Sequence, residues 1–210
     1  MTLNAWVHGW AISRGTPAPV AVDDGWRIEV GLQNHRRRYV LDDPRHETLT
    51  RLGREQAVPG TWIKIAGEAG RLRAALPPGW EHGETLHLMT TTFVAGEVTA
   101  PPPPYTIRLT GEGALVTAAV LDGEERIAAS AKLVTVGDFG IVDQVETEPA
   151  HRRRGLGSIV MRLLANHARD LGVHRGVLVA TGDGRHLYRS LGWAVRAPIA
   201  AAYVPEPRTP

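Results

Sequence analysis

The sequence predicts an α/β protein built on a mixed sheet, and three observations predict it. Residues 105–147 alternate apolar stretches with short turns, as a strand meander does. The meander runs straight into a glycine- and arginine-rich loop and then an amphipathic helix. An apolar run, Gly176–Ala180, follows that helix and reads as a buried strand.

Taken in order, residues 1–99 form a first mixed α/β part. Trp6, Val7, Trp10 and Ala11 suggest a helix ending near Arg14-Gly15. Val20–Val22 and Trp26–Leu32 read as short strands around an Asp24-Gly25 turn, and Asn34–Leu41 as another. Asp43-Pro44 opens a helix through Gln56, with Asp as cap and Pro at the first helical position. Thr61–Ala66 reads as a strand, Glu68–Leu76 as a short helix and Glu84–Phe93 as a strand. Five of the six tryptophans lie here (Trp6, Trp10, Trp26, Trp62 and Trp80), and core packing is the expected use of most of them.

The four prolines Pro101–Pro104 cannot donate to a sheet or continue a helix, so residues 100–105 read as a stiff connector. Beyond it, Tyr105–Thr110, Ala114–Leu121 and Arg126–Val136 read as strands, with an Asp122-Gly123 hairpin turn. Phe139–Thr147 is the strand that delivers the loop. Leu156, Ile159, Val160, Leu163, Leu164, His167 and Leu171 then give the helix its apolar face, with Gly172 as the stop. Two further short strands are expected around Ala194–Arg196 and Ala201–Val204.

Composition narrows the function. At 210 residues, with 43% hydrophobic and 22% charged side chains, the chain has the balance of a globular enzyme. It has no cysteine, which removes disulfides, thiolate metal sites and a cysteine nucleophile. No apolar run approaches a membrane span and no basic-apolar leader opens the chain, so a cytoplasmic location without membrane contact is expected. Arg36-Arg37-Arg38 and Arg152-Arg153-Arg154 are basic clusters, but no nucleic-acid-binding signature accompanies them. His151, His167, His174 and His186 lack metal-ligand spacing, and no metal is expected.

The loop Val145–Ser158 carries the chemistry. Gly155 and Gly157 let the backbone approach a ligand closely, and the free N–H groups of a helix start favour an anion. The segment lacks the lysine of a nucleoside-triphosphate loop. It also lacks the third glycine of a dinucleotide loop, because position 160 is Val160. Arg152-x-x-Gly155-x-Gly157 and, downstream, Leu187-Tyr188-Arg189-Ser190-Leu191-Gly192-Trp193 remain.

Together, in that order, these two motifs resemble the GNAT superfamily of N-acetyltransferases over about residues 106–204. The resemblance implies the GNAT acyl-CoA N-acyltransferase fold for residues 106–210. Residues 1–99 resemble the degenerate N-terminal half of tandem members. The two helices that members place between their first and second strands have no room in residues 106–114. Acetyl-CoA is the implied cofactor. Its implied contacts are Val145, Glu146, Thr147, Arg152, Arg153, Arg154, Gly155, Leu156, Gly157, Ser158 and Tyr188.

Acyl transfer to an amine needs a polarised carbonyl, a proton acceptor and an acid for the thiolate. By resemblance, the Val145 N–H polarises the carbonyl and Tyr188, a phenol of ordinary pKa near 10, is the acid. The family's frequent glutamate falls on Ile141. Asp143 shares that face if the strand alternates regularly; the bulge usual there would bring Glu146 inward instead, and water is a third base. The leading reading is an acetyl-CoA-dependent N-acetyltransferase that takes an unidentified amine through a ternary complex. A non-catalytic acyl-CoA-binding regulatory module and an interaction protein that recruits a partner through its first half are the alternatives. A homodimer is left open.

Overall fold

A computed structural model describes residues 2–207. The chain opens with α1 (Thr2–Arg14), β1 (Val20–Val22), β2 (Gly25–Leu32) and β3 (His35–Asp42). Next come α2 (His46–Glu55), β4 (Thr61–Ala66), α3 (Ala69–Ala75), β5 (Glu81–His82) and β6 (Leu86–Thr92). The meander is β7 (Thr106–Glu112), β8 (Leu115–Leu121), β9 (Ile127–Val136) and β10 (Phe139–Thr147). It is followed by α4 (Leu156–Asp170), β11 (Arg175–Ala180), α5 (Gly184–Ser190) and β12 (Ala194–Tyr203).

These elements form two compact units. One comprises Met1–Met89, Val179–Arg185 and Val195–Pro210; the other comprises Thr90–Leu178 and His186–Ala194. The units therefore interleave along the chain and do not divide at a connector over 100–105. The proline run belongs wholly to the second unit, where Pro104 lies beside Gly123 and Tyr105 is buried.

In the first unit the strand order is β1-β2-β3-β4-β12. β1, β2 and β3 pair antiparallel, β3 and β4 pair parallel across the crossover helix α2, and β12 returns antiparallel to β4. Alternation sends Tyr39 and Leu41, Ile63 and Ile65, and Ala200 and Ala202 into one core with Leu49, Leu52 and Leu72. Burying side chains such as Leu49 and Leu72 contributes about 1.5–3 kcal/mol each. Trp6, Trp10 and Trp80 are buried as expected, and the Trp80 indole N–H donates to the Gly53 carbonyl at 3.0 Å.

Helix α2 starts at His46, later than the Asp43-Pro44 signal suggests. Asp43 takes a left-handed φ of 48°, so it turns the chain and does not cap it. The carboxylate at this helix start comes from the β1–β2 turn: Asp24 accepts from the Thr48 hydroxyl at 2.6 Å and from the N–H of Arg45, the N-cap residue, at 3.2 Å. Likewise β12 is one strand where two short ones were expected. Pro198 is tolerated because the ladder with β4 begins at Ile199, and the Pro198 carbonyl still accepts the Gly67 N–H at 2.9 Å.

In the second unit the order is β11-β10-β9-β8-β7. The meander is antiparallel, α4 crosses over it, and β11 pairs parallel with β10. Ile159, Val160, Leu164 and Ala168 of α4 are buried where the helix packs on β8, β9 and β10. Leu171 does not join that face: the helix ends at Asp170, and Leu171 is 55% exposed at the cap. His167 is half-buried. Gly140 and Gly176 face each other across β10 and β11. A Cβ on either would lie 2.7–2.8 Å from the Phe93 ring, so the glycine pair makes the slot that this ring fills.

Both units share one element order. Antiparallel strands lead to a crossover helix, a parallel strand and a short helix: β2-β3-α2-β4-α3 in one, β9-β10-α4-β11-α5 in the other.

Candidate functional site

The site begins where β10 parts from β11. Their pairing covers Phe139↔Arg175, Gly140↔Gly176 and Ile141↔Val177. β10 then continues to Thr147 beyond the last of these pairs, and among the described residues Val145–Thr147 have no β11 partner, so that edge keeps backbone donors and acceptors for another extended chain. On its other side β10 stays paired to β9, but the register shifts between Asp143 and Glu146. Gln144, at φ 52°, is the left-handed residue of this bulge.

The bulge settles which face each carboxylate takes. Ile141, Asp143 and Glu146 oppose Val134, Lys132 and Ser130, which alternate regularly along β9. All three therefore lie on one face, and the extra residue places both carboxylates there. Asp143 is half-buried and Glu146 is exposed. Ile141, at the position where a glutamate was sought, is fully buried.

After Thr147 a 3₁₀ turn, Pro149–His151, intervenes before the helix. Arg152 donates from Nε to the Thr147 carbonyl at 3.0 Å and so braces the turn against the strand it leaves. Arg153 has φ 62°, and Gly155, the N-cap, has φ 76°. Arg154 donates to the Tyr105 hydroxyl at 2.8 Å, and that hydroxyl also meets His151 Nδ1 at 2.8 Å. Sequence reasoning missed this Tyr105–His151–Arg154 network; the adjacency of Tyr105 to the proline run was its only signal.

At the start of α4 the Gly155 carbonyl accepts from Ser158 and Ile159. Among the described residues no side chain caps the helix, and the N–H groups of Leu156 and Gly157 have no acceptor. Arg152, Arg153 and Arg154 are exposed, and among the described residues none forms an ion pair with a carboxylate. Leu156 is buried, so only its backbone faces the loop; Ser158 is half-buried. A cavity of about 260 Å³ lies here, lined by Pro102, Arg154, Gly155, Ser158 and Arg162 among others. Free donors, a helix dipole and guanidinium groups together favour a phosphorylated anion.

Helix α5 brings Tyr188 to the same unit. A Cβ at Gly157 would stand 3.2 Å from Leu187 and 3.6 Å from the Thr147 hydroxyl, so α5, α4 and the end of β10 converge there. Tyr188 is buried, its ring edge-on to Trp193 at 6.2 Å. Burial, and then the negative charge of Asp143, push its phenol up to about 12, above the ordinary value expected from sequence. The phenol therefore keeps its proton at neutral pH. A second cavity, of about 510 Å³, lies between the Thr91–Gly96 segment, α4 at Met161 and the Leu191–Trp193 turn.

Against known proteins, the acetyltransferase (GNAT) family model matches residues 84–193, just over half of the chain. The chain belongs to the GNAT acetyltransferase family. Proteins of this family use an acyl-CoA as co-substrate together with an acceptor, so the chain is an acyltransferase by family. Among solved structures it is similar to a GCN5-related N-acetyltransferase from Kribbella flavida, at 15% identity, 99% and 97% coverage of the two chains and a TM-score of 0.66. A putative GNAT acetyltransferase from Novosphingobium aromaticivorans shares 19% identity over 99% and 100% of the chains, with a TM-score of 0.58. A tandem GNAT protein from the clavulanic acid biosynthesis pathway shares 10% identity over 78% and 69%, with a TM-score of 0.54. At these identities the likeness is one of fold. No curated protein matches the sequence. Among the described residues no group of His, Asp and Glu could hold a metal ion, and no helix is long and apolar enough to cross a membrane.

Proposed function

We propose that the protein transfers an acetyl group from acetyl-CoA to a primary amine by direct attack in a ternary complex. The observation that carries this reading is the junction of an unpartnered β10 edge with an open α4 N-terminus. An extended pantetheine arm needs the first, and a pyrophosphate needs the second. Acetyl-CoA would supply the thioester whose carbonyl carbon the amine attacks.

The chain's residues take the other roles. The N–H groups of Leu156, Gly157 and Ser158, with Arg152, Arg153 and Arg154, hold the pyrophosphate. Val145 and Thr147, on the free segment of β10, hold the arm beside Glu146, and the Val145 N–H polarises the carbonyl. Tyr188 gives its phenolic proton to the departing sulfur. Asp143 receives the proton lost by the amine, because its charge reaches the Tyr188 phenol and its face is that of Ile141. Glu146, exposed on the same face, is the second candidate, and water relayed through either carboxylate is the third.

We further read the first unit as a degenerate GNAT half, supported by its shared element order and by the tandem protein among the similar folds. One observation favours a non-catalytic acyl-CoA-binding module: the buried Ile141 removes a carboxylate from the position members often use. Thermal shift with acetyl-CoA, followed by CoA release with an amine panel, separates the two. Stabilisation with amine-dependent release supports the transferase, stabilisation alone supports the module, and neither defeats both.

A further inference from the structure

A buried hydroxyl outside the reacting groups holds two side chains of the loop before α4. Tyr105 stands at the end of the proline run, directly before β7, and is 8% exposed. Its backbone N–H donates to the Pro102 carbonyl at 3.0 Å. Its hydroxyl lies 2.8 Å from Arg154 Nη1 and 2.8 Å from His151 Nδ1. A guanidinium only donates, so the hydroxyl accepts from Arg154 and has its own proton left for His151. On the far side of the imidazole, Nε2 lies 3.9 Å from Asp122 Oδ2. Asp122 in turn is fastened within the β8–β9 turn by the N–H groups of Glu124, at 2.9 Å, and Arg126, at 3.0 Å.

The series Asp122–His151–Tyr105–Arg154 thus runs from the β8–β9 turn to the start of α4. Arg154 also donates from Nη2 to the Ala150 carbonyl at 3.3 Å. The Tyr105 hydroxyl and the Ala150 carbonyl are both neutral, so these bonds aim the guanidinium without cancelling its charge. Arg154 borders the cavity of about 260 Å³ together with Pro102, Gly155 and Ser158. A surface arginine ordinarily gives up rotamer freedom when it meets an anion, and one already fixed gives up less. Tyr105 therefore supplies the fixing that an exposed turn could not.

We propose that Tyr105 is a positioning residue for the acyl-CoA pyrophosphate: its hydroxyl presets the Arg154 guanidinium at the open start of α4. This rests on the reading of that loop as the pyrophosphate site.

Tyr105→Phe removes the hydroxyl and keeps the ring, so the fold should be retained by circular dichroism. Acetyl-CoA dissociation constants are measured by calorimetry on the full chain for the parent, Tyr105→Phe, Arg154→Ala and the double variant, with Gly157→Glu as the loop control. Tyr105→Phe should weaken binding about tenfold, and Arg154→Ala at least as much. In the Arg154→Ala background the loss of the hydroxyl should cost less than about twofold, because the group it presets is gone. A merely structural role would instead give losses that add. In CoA-release kinetics the Tyr105→Phe loss should fall on the KM for acetyl-CoA, with kcat near that of the parent. Parent-like affinity in Tyr105→Phe or Arg154→Ala, or additive losses in the double variant, overturns the positioning role, and a loss in Gly157→Glu then leaves the loop reading standing. A Gly157→Glu protein that binds as the parent does removes the loop reading and this proposal with it.

Discussion

Helices α2 and α4 hold the same place in the element order of their units, yet their N-termini are filled in opposite ways. In the first unit the chain supplies its own anion: Asp24 reaches the Arg45 N–H and the Thr48 hydroxyl, and those bonds hold its carboxyl below the usual range. In the second unit Gly155 caps α4 with no side chain, and exposed arginines take the place of the aspartate. One scaffold thus gives a closed structural joint or an open anion site, according to a few loop residues. The buried titrating groups differ in the same way. Burial drives Lys64 down to about 7 among cations and Tyr188 up to about 12 beside a carboxylate.

The sharpest break of this contrast is at Tyr188. Tyr188→Phe should lower turnover roughly a hundredfold or more while leaving acetyl-CoA affinity near that of the parent. Steady-state CoA release beside calorimetric binding would show it, and unchanged turnover removes Tyr188 from the chemistry. Gly157→Glu gives α4 the acidic start that α2 enjoys. Its Cβ would also crowd Leu187. Acetyl-CoA affinity should fall about a hundredfold, close to 3 kcal/mol, with the helix intact.

Stability against pH tests the buried groups. Between about pH 7 and 10.5 the unfolded chain keeps the Lys64 proton that the folded chain has released. Stability should therefore rise with pH across that window, by on the order of a few kcal/mol, and be lost again as pH falls through 7. Chemical denaturation of a Lys64→Met variant should show that slope removed. The smallest effect belongs to Asp24→Ala, which should lower Tm by a few degrees and leave acetyl-CoA binding unchanged. A loss of binding there would show that the two helix starts are not independent.

How much of this was legible in the sequence depended on distance along the chain. The β10–loop–α4 segment was readable because strand, glycines and apolar helix face are contiguous, and Leu187–Trp193 confirmed the pattern close by. The start of α2 was not, since the carboxylate that anchors it is Asp24, 21 residues before Arg45. Nor was the reach of β12 past Pro198, which depends on where the β4 ladder begins. The interleaving of the units was hidden because the last strand pairs with β4 and not with its neighbours in sequence. The two faces proposed for Asp143 and Glu146 were alternatives only while the bulge was unplaced; with Gln144 in it, both carboxylates share one face. Lys64 looked like an ordinary strand residue, because its neighbours Arg38 and Arg14 lie on other elements.

The central claim is that acetyl-CoA is held at the open helix start and at no other. Backbone amide spectra of the ¹⁵N-labelled protein, recorded through an acetyl-CoA titration, test it most directly. The account predicts saturable shifts at Gly155, Leu156, Gly157 and Ser158, with Val145 following and the amides of Arg45–Thr48 still. Shifts centred on Arg45–Thr48, or saturation that leaves Gly155 and Gly157 unmoved, would contradict it.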